Sequence, residues 1–408
     1  MIRKVLMITY HFPPVIYGSS FRAFNFAKHL KDYNWFSSIL TLNHSIFPAL
    51  KDFTLTEALK ESNVKVYAVN LIKPFSKIAS LNFPKTKKEL IPKILLYTAK
   101  IFGVVEPEDI WKFKAIKFGE KILKSERYNA IIAFVPPLST VQIGAHLSKK
   151  FKIPLIIDYS SIIPQKKSLT LREKKLLRAG SSVIVDNRRI KDYLLQNYLF
   201  LDYNFVKIIP TGFNLSEFTD HRINPDDKFT LTLAYGKITL KKFKLILNAL
   251  AYLSRKDPLF KKSLLFNLIG IPTNEIVNLI SKLQIKENIK IYQNLQRENY
   301  IKILLSSNFL IYLDDFDISN VPYDYIATGK PYIAIINGQN NHRYIIGDYK
   351  NSLIADANDP SSIVNAFIKA FELYLNQKVL VPKLNLENYD IKKVIINLVR
   401  ELELFTPD

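Results

Sequence analysis

Short apolar runs alternate with longer amphipathic ones along most of the chain. KVLMITY, SSILTL, VKVYAV, NAIIAF, PLIIDY and SSVIVD, followed by VKIIP, have the length and the β-branched content of buried strands. The spacers, FRAFNFAKHLKDY and STVQIGAHLSKKF among them, put apolar residues three and four apart, the period of a helix with one buried face. A second series starts near residue 228: FTLTLAYG, SLLFNLIG, IKIYQN, NFLIYL and PYIAII. Its spacers are KKFKLILNALAYLSR, NEIVNLISKLQ, NYIKILLSS and VPYDYIATG. Strands that alternate with helices predict βαβ units on parallel sheets, so the fold class is α/β. Two such series predict two halves with a boundary near 205–225, in line with 408 residues at roughly 150 per domain.

Composition narrows the function. There is no cysteine, which excludes disulfides, zinc–thiolate sites and cysteine nucleophiles and fits a reducing cytoplasm. MIRKVLMITY resembles a signal peptide only briefly, and no small-residue cleavage site follows. No run of about 18 apolar residues predicts a membrane-spanning helix. The formal charge of +22, from 58 Lys and Arg against 36 Asp and Glu, favours anionic partners: nucleic acid, anionic lipid or phosphate-bearing ligands. A solvated basic surface accounts for it equally well. A nucleic-acid binder lacks any recognisable RNA or DNA motif here.

Two stretches are basic and locally unusual. Residues 85–127 interleave lysines with Leu, Ile, Phe and Trp. They read either as ordinary surface helices or as helices resting on a membrane surface with snorkelling lysines. Residues 166–191 are similarly rich in Lys and Arg.

Three motifs carry the candidate chemistry. In FPPVIYGSSFR, a strand ends in a loop with Gly18, Ser19 and Ser20 and feeds an amphipathic helix. Free backbone N–H groups and the positive end of a helix dipole make such a place receptive to an anion. In KIIPTGFNLSEF, residues 207–218, a short strand ends at Pro210 before a Thr-Gly turn and an Asn-containing loop. In SNVPYDYIATGKPYIAI, an acid opens a short helix, Gly329 closes it and Pro331 starts a buried strand. The six histidines show no metal-ligand spacing. His11 lies beside the FPP loop.

In this order, the motifs resemble those of the GT-B glycosyltransferases of family 4. FPPVIYGSSFR is similar to that family's N-terminal signature, KIIPTGF to its Ile-Pro-Asn-Gly segment, and DYIATGKP to its Glu-Tyr-x-Ala-x-Gly-Lys-Pro segment. EPEDIWKFKAIKFGEKIL and the stretch 128–161 resemble the segments between, so the likeness spans about 4–370. The resemblance implies two Rossmann-like domains facing across a cleft: 1–205 on the acceptor side, 206–385 on the nucleotide-sugar side, and a helix in 386–408 packing back on the first. It also implies transfer from a nucleotide diphosphate sugar with retention of configuration, with neither cofactor nor metal. The acceptor expected is a sugar or lipid-linked sugar of surface polysaccharide or glycolipid synthesis, met in the cytoplasm or at the inner face of the membrane.

Carried over residue by residue, the resemblance places Gly18, Ser19 and Ser20 beside the diphosphate and acceptor. Gly236 and Lys237, with Lys241 or Lys242, would face the diphosphate, whose negative charge grows as the glycosidic bond breaks. Asp324 stands where relatives have a glutamate on the ribose hydroxyls, because a carboxylate accepts two hydrogen bonds from a vicinal diol. Phe316 holds the place of the first acid of the relatives' paired-glutamate pattern, flanked by Asp315 and Asp317, and Asp317 is the substitute the resemblance suggests. Arg22, Asp158 and His11 are the candidates nearest the chemistry. Val321 stands where relatives carry a cation, and Asp324 is shorter than their glutamate. Those departures support the alternative of a GT-B-like partner subunit without turnover.

Overall fold

Both sides of each strand run are apolar, so each sheet must be covered on both faces, and it is. The computed structural model describes residues 2–16, 19–43, 51–71, 107–163, 167–219, 227–234, 240–270, 272–293, 295–313, 321–336, 353–377 and 386–406. The chain divides into two units: residues 1–211 with 391–408, and residues 212–390.

The first unit holds a parallel sheet of seven strands in the order β3-β2-β1-β4-β5-β6-β7. These are β1 Arg3–Ile8, β2 Trp35–Leu42, β3 Lys65–Val69, β4 Ala130–Val135, β5 Leu155–Tyr159, β6 Ser182–Val185 and β7 Val206–Ile208. Alternation along β1 sends Leu6 and Ile8 into one core and Val5 and Met7 into the other. The first core is roofed by the helices Lys112–Ser125, Leu138–Phe151, Lys167–Leu177 and Arg188–Asn197. The second is roofed by Ser20–His29, Thr54–Glu61 and Ile391–Leu404.

The helix Ile391–Leu404 belongs to this unit because its sequence repeats at 391, 394, 395, 398, 399 and 402, and all six side chains are buried. Fully burying one such aliphatic side chain contributes about 1.5–3 kcal/mol. Ser182, at the start of β6, also donates a buried hydrogen bond to Glu401. A boundary at 205–206 is corrected to 211–212. Val206–Ile208 pairs with β6, Val183 opposite Val206, and so completes the first sheet.

The second unit holds six parallel strands in the order β10-β9-β8-β11-β12-β13. They are β8 Phe229–Ala234, β9 Leu264–Ile269, β10 Ile289–Tyr292, β11 Phe309–Leu313, β12 Tyr332–Ile336 and β13 Leu353–Asp356. Asp257 and Asp359 start the helices Pro258–Ser263 and Pro360–Leu375, each accepting a backbone N–H two residues on, at 2.8 and 2.9 Å. Gly329 ends the helix Val321–Thr328 at φ +63°, a left-handed turn that suits glycine. No helix among the described residues is long and apolar enough to cross a membrane.

Candidate functional site

In a parallel sheet, ligands gather where the strands end and the order of connections reverses. In the second unit that place lies between β8 and β11, which are hydrogen-bonded neighbours although they are far apart in sequence. Ala234 ends β8 and Leu313 ends β11. They lead into 235–239 and 314–320, which carry Gly236, Lys237 and Asp317 and lie outside the described residues. Lys241 and Lys242 fall in the first turn of the helix Leu240–Lys256, and their side chains are outside the described set.

Next to these strand ends, the helix Val321–Thr328 holds two functional groups. The Tyr325 hydroxyl accepts the Ala234 backbone N–H at 2.9 Å and so ties the helix to the end of β8. Asp324 is 1% exposed. Both its oxygens accept from the guanidinium of Arg297, at 2.7 and 2.6 Å, in a fork-to-fork pair. Arg297 opens the helix Arg297–Ser306. Its Nε donates to Glu217 at 3.0 Å, and its plane lies 5.6 and 5.5 Å from the rings of Phe218 and Tyr300.

Burial raises the Asp324 carboxyl from its ordinary value, and Arg297 only partly offsets that. Burial pulls Arg297 down, but Asp324 and Glu217 outweigh it, and the guanidinium stays firmly charged. Arg297 belongs to none of the three motifs; Glu217 lies at the end of the second, in NLSEF, though its residue type drew no role there. Arg297 brings a cation to Asp324 from another helix, where Val321 offers none.

The first unit builds a second cluster at the ends of its own strands. Arg22 sits in the first turn of Ser20–His29, just after β1 and its loop. Its Nε donates to both oxygens of Asp158, in β5, at 2.8 and 2.9 Å, and its Nη1 to Asp186, just after β6, at 3.3 Å. The same Asp186 oxygen accepts the backbone N–H and hydroxyl of Thr211 at 2.8 and 2.6 Å. Arg22 and Asp158 are fully buried. Burial pushes the Asp158 carboxyl up, Arg22 pulls it back and Asp186 pushes it up again, leaving it at about 6.

Ser19 and Ser20 are also buried, and the Ser19 carbonyl accepts the Ala23 N–H at 3.0 Å; Gly18 lies outside the described residues. His11 sits edge-on to Tyr10, ring centres 4.9 Å apart. Burial drops its pKa to about 3, so its imidazole is neutral at pH 7. Asp186 had a visible signal: carboxylates lie at the ends of two successive strand runs, PLIIDY and SSVIVD, and in a parallel sheet both reach the same edge; Thr211 lies in the KIIPTGF motif.

Two units, each a parallel sheet covered by helices on both faces, define a protein of the GT-B fold. The fold is similar to a glycosyltransferase from Rickettsia africae ESF-5, with a TM-score of 0.66 and 13% identity over 100% of this chain and 99% of that one. Anabaena Alr3699/HepE in complex with UDP and glucose gives 0.66 and 14% over 98% and 100%. Sucrose-phosphate synthase from Thermosynechococcus elongatus gives 0.65 and 14% over 98% and 99%. No curated protein sequence matches the chain. Residues 216–382, which include Glu217, Arg297 and Asp324, match the model of the family Glycosyl transferases group 1.

Proposed function

We propose that the protein transfers a sugar from a nucleoside diphosphate sugar to an acceptor. The observation that carries this reading is the group 1 match over 216–382, a range that includes the Arg297–Asp324 pair beside the ends of β8 and β11. In this reading the Asp324 carboxylate, fixed in orientation by Arg297, gives its remaining lone pairs to the ribose diol. Lys237, with Lys241 or Lys242, neutralises the departing diphosphate without a metal, and configuration is retained. In the first unit, Arg22 and Asp158 act as positioning residues. They hold the start of Ser20–His29 against the ends of β5 and β6 and so fix Ser19 and Ser20. The neutral His11 lines the acceptor side. The acceptor is a sugar or lipid-linked sugar of surface polysaccharide or glycolipid synthesis, reached in the cytoplasm or at the inner face of the membrane.

A thermal-shift panel of UDP, GDP, ADP and dTDP tests this on the full chain. One diphosphate is expected to raise the melting temperature, by about 2–4 °C for each kcal/mol of binding-linked stability. Asp324→Ala is expected to abolish that rise. Four nucleotides without effect would support the non-catalytic partner subunit instead.

A further inference from the structure

The two helical layers of the first unit differ sharply in charge. The layer over the first core, formed by Lys112–Ser125, Leu138–Phe151, Lys167–Leu177 and Arg188–Asn197, holds fourteen Lys and Arg against three acids. The opposite layer, Ser20–His29, Thr54–Glu61 and Ile391–Leu404, holds six against four. The three acids of the basic layer are all engaged. Glu120 binds His146 and Lys150 at 2.8 and 2.7 Å, and Asp192 binds Arg188 at 2.7 Å. Glu173 is buried under the hydroxyls of Tyr159 and Tyr198 at 3.0 and 2.6 Å. The surplus faces solvent: Lys114, Lys117, Lys121 and Lys124 on the first helix, Lys174 and Lys175 on the third.

Apolar side chains are exposed on the same layer. Phe113 and Phe118 stand among the lysines of the first helix. Leu171, 64% exposed, shares a stripe with Lys174, Lys175 and Arg178 at helical spacing. That stripe is fixed outward, because Arg172 and Glu173 lock the inner side of the helix: Arg172 to Asp109 and Gln142, each at 2.8 Å, and Glu173 to its two tyrosines. The stripe ends where Arg178 lies 4.7 Å over the ring of Phe200, beside Leu199, which is 94% exposed. Lys191 covers the ring of the exposed Tyr203 at 3.4 Å. The loop with Leu199, Phe200 and Tyr203 precedes β7, and Arg178 precedes β6, so both lie at the opposite end of the sheet from Asp158 and Asp186.

We propose that this helical layer docks on a bilayer containing anionic lipids. Its cations meet lipid phosphates, while Leu171, Leu199, Phe200, Phe113 and Phe118 enter the headgroup region. Exposed leucines decide for a bilayer over a nucleic acid, since they offer nothing to a phosphate backbone and gain from an apolar phase. The inference goes beyond sugar transfer, because lipid binding requires no turnover.

Flotation of the full chain with vesicles tests it. Phosphatidylcholine alone is compared with a mixture containing about 30% phosphatidylglycerol, at roughly 50 and 500 mM salt. Binding is expected only to the anionic vesicles, with a fraction surviving high salt. Reversing Lys117, Lys121, Lys174 and Lys175 to Glu together is expected to weaken it at least a hundredfold, at roughly fivefold per cation. Leu199→Ser with Phe200→Ser removes the salt-resistant fraction. Lys392→Glu with Lys393→Glu, on the opposite layer, leaves binding unchanged, and circular dichroism checks that all variants fold. Flotation that ignores anionic lipid, equal loss in the opposite-layer variant, or binding to single-stranded RNA in place of vesicles overturns the proposal. None of these outcomes touches the nucleotide reading, which the diphosphate panel decides separately.

Discussion

Arg22 and Arg297 each face two carboxylates, sit near the ends of parallel strands and lie against an aromatic ring. They differ in what surrounds them. Arg22 and Asp158 have no exposure at all, and the Asp186 oxygen that meets Arg22 also accepts from Thr211. Around Arg297, the guanidinium side chain is 16% exposed and Glu217 33%. A sealed cluster can only hold the fold; one with an open rim can exchange a partner for a ligand at modest cost. The same chemical inventory is closed off in one unit and reaches solvent through Arg297 and Glu217 in the other.

The strongest way to break that comparison is to remove each cation. Arg22→Met leaves two carboxylates in the sealed cluster, and the loss expected in urea unfolding is about 3–5 kcal/mol. Arg297→Met strands the buried Asp324 but leaves Glu217 at the rim, and is expected to cost about 3 kcal/mol, the low end of that range. Equal losses would show that exposure does not distinguish the clusters.

A second test uses pH. The Asp158 carboxyl, ordinarily near 3.8, is raised to about 6 in the folded protein, so the fold binds its proton more tightly than the unfolded chain does. Its contribution is complete below about pH 4 and fades as pH rises through about 6. Asp158→Asn is expected to remove a falling component on the order of 2–3 kcal/mol from the stability profile in that window. A profile identical to that of the unmodified protein would mean that Asp158 is ionised throughout. The smallest effect sharpens the other side: Glu217→Gln, at a partly solvated rim, should change stability by less than about 1 kcal/mol.

Much of this architecture could be read from the residues. Twelve of the thirteen described strands coincide with apolar runs visible in the chain; the inner ones are buried on both faces of a parallel sheet and so leave uninterrupted apolar stretches. The exception, Leu353–Asp356, is an edge strand of three apolar residues closed by an exposed Asp356. The candidate site was legible in part. Asp324 and Arg22 announced themselves through their motifs. Arg297 did not, since an arginine opening an ordinary helix in LQRENY looks like any surface charge. Only folding brings it to Asp324, 27 residues away. The charge asymmetry of the first unit was legible in part: the basic stretches 85–127 and 166–191 contain two of the four helices that carry it and the start of a third, and strand order then sets those helices side by side as one surface.

One detail of the chain path has a practical reach. Phe213 bridges to Asp390, and its N–H donates to the Tyr389 carbonyl at 3.0 Å, so the second unit begins and ends at the same spot. It is a cassette spliced into its neighbour, entered and left through one doorway. A gene in which Thr211 runs by a short linker into Ile391 would encode the first unit by itself, and the segment 212–390 would encode the second with its ends already meeting.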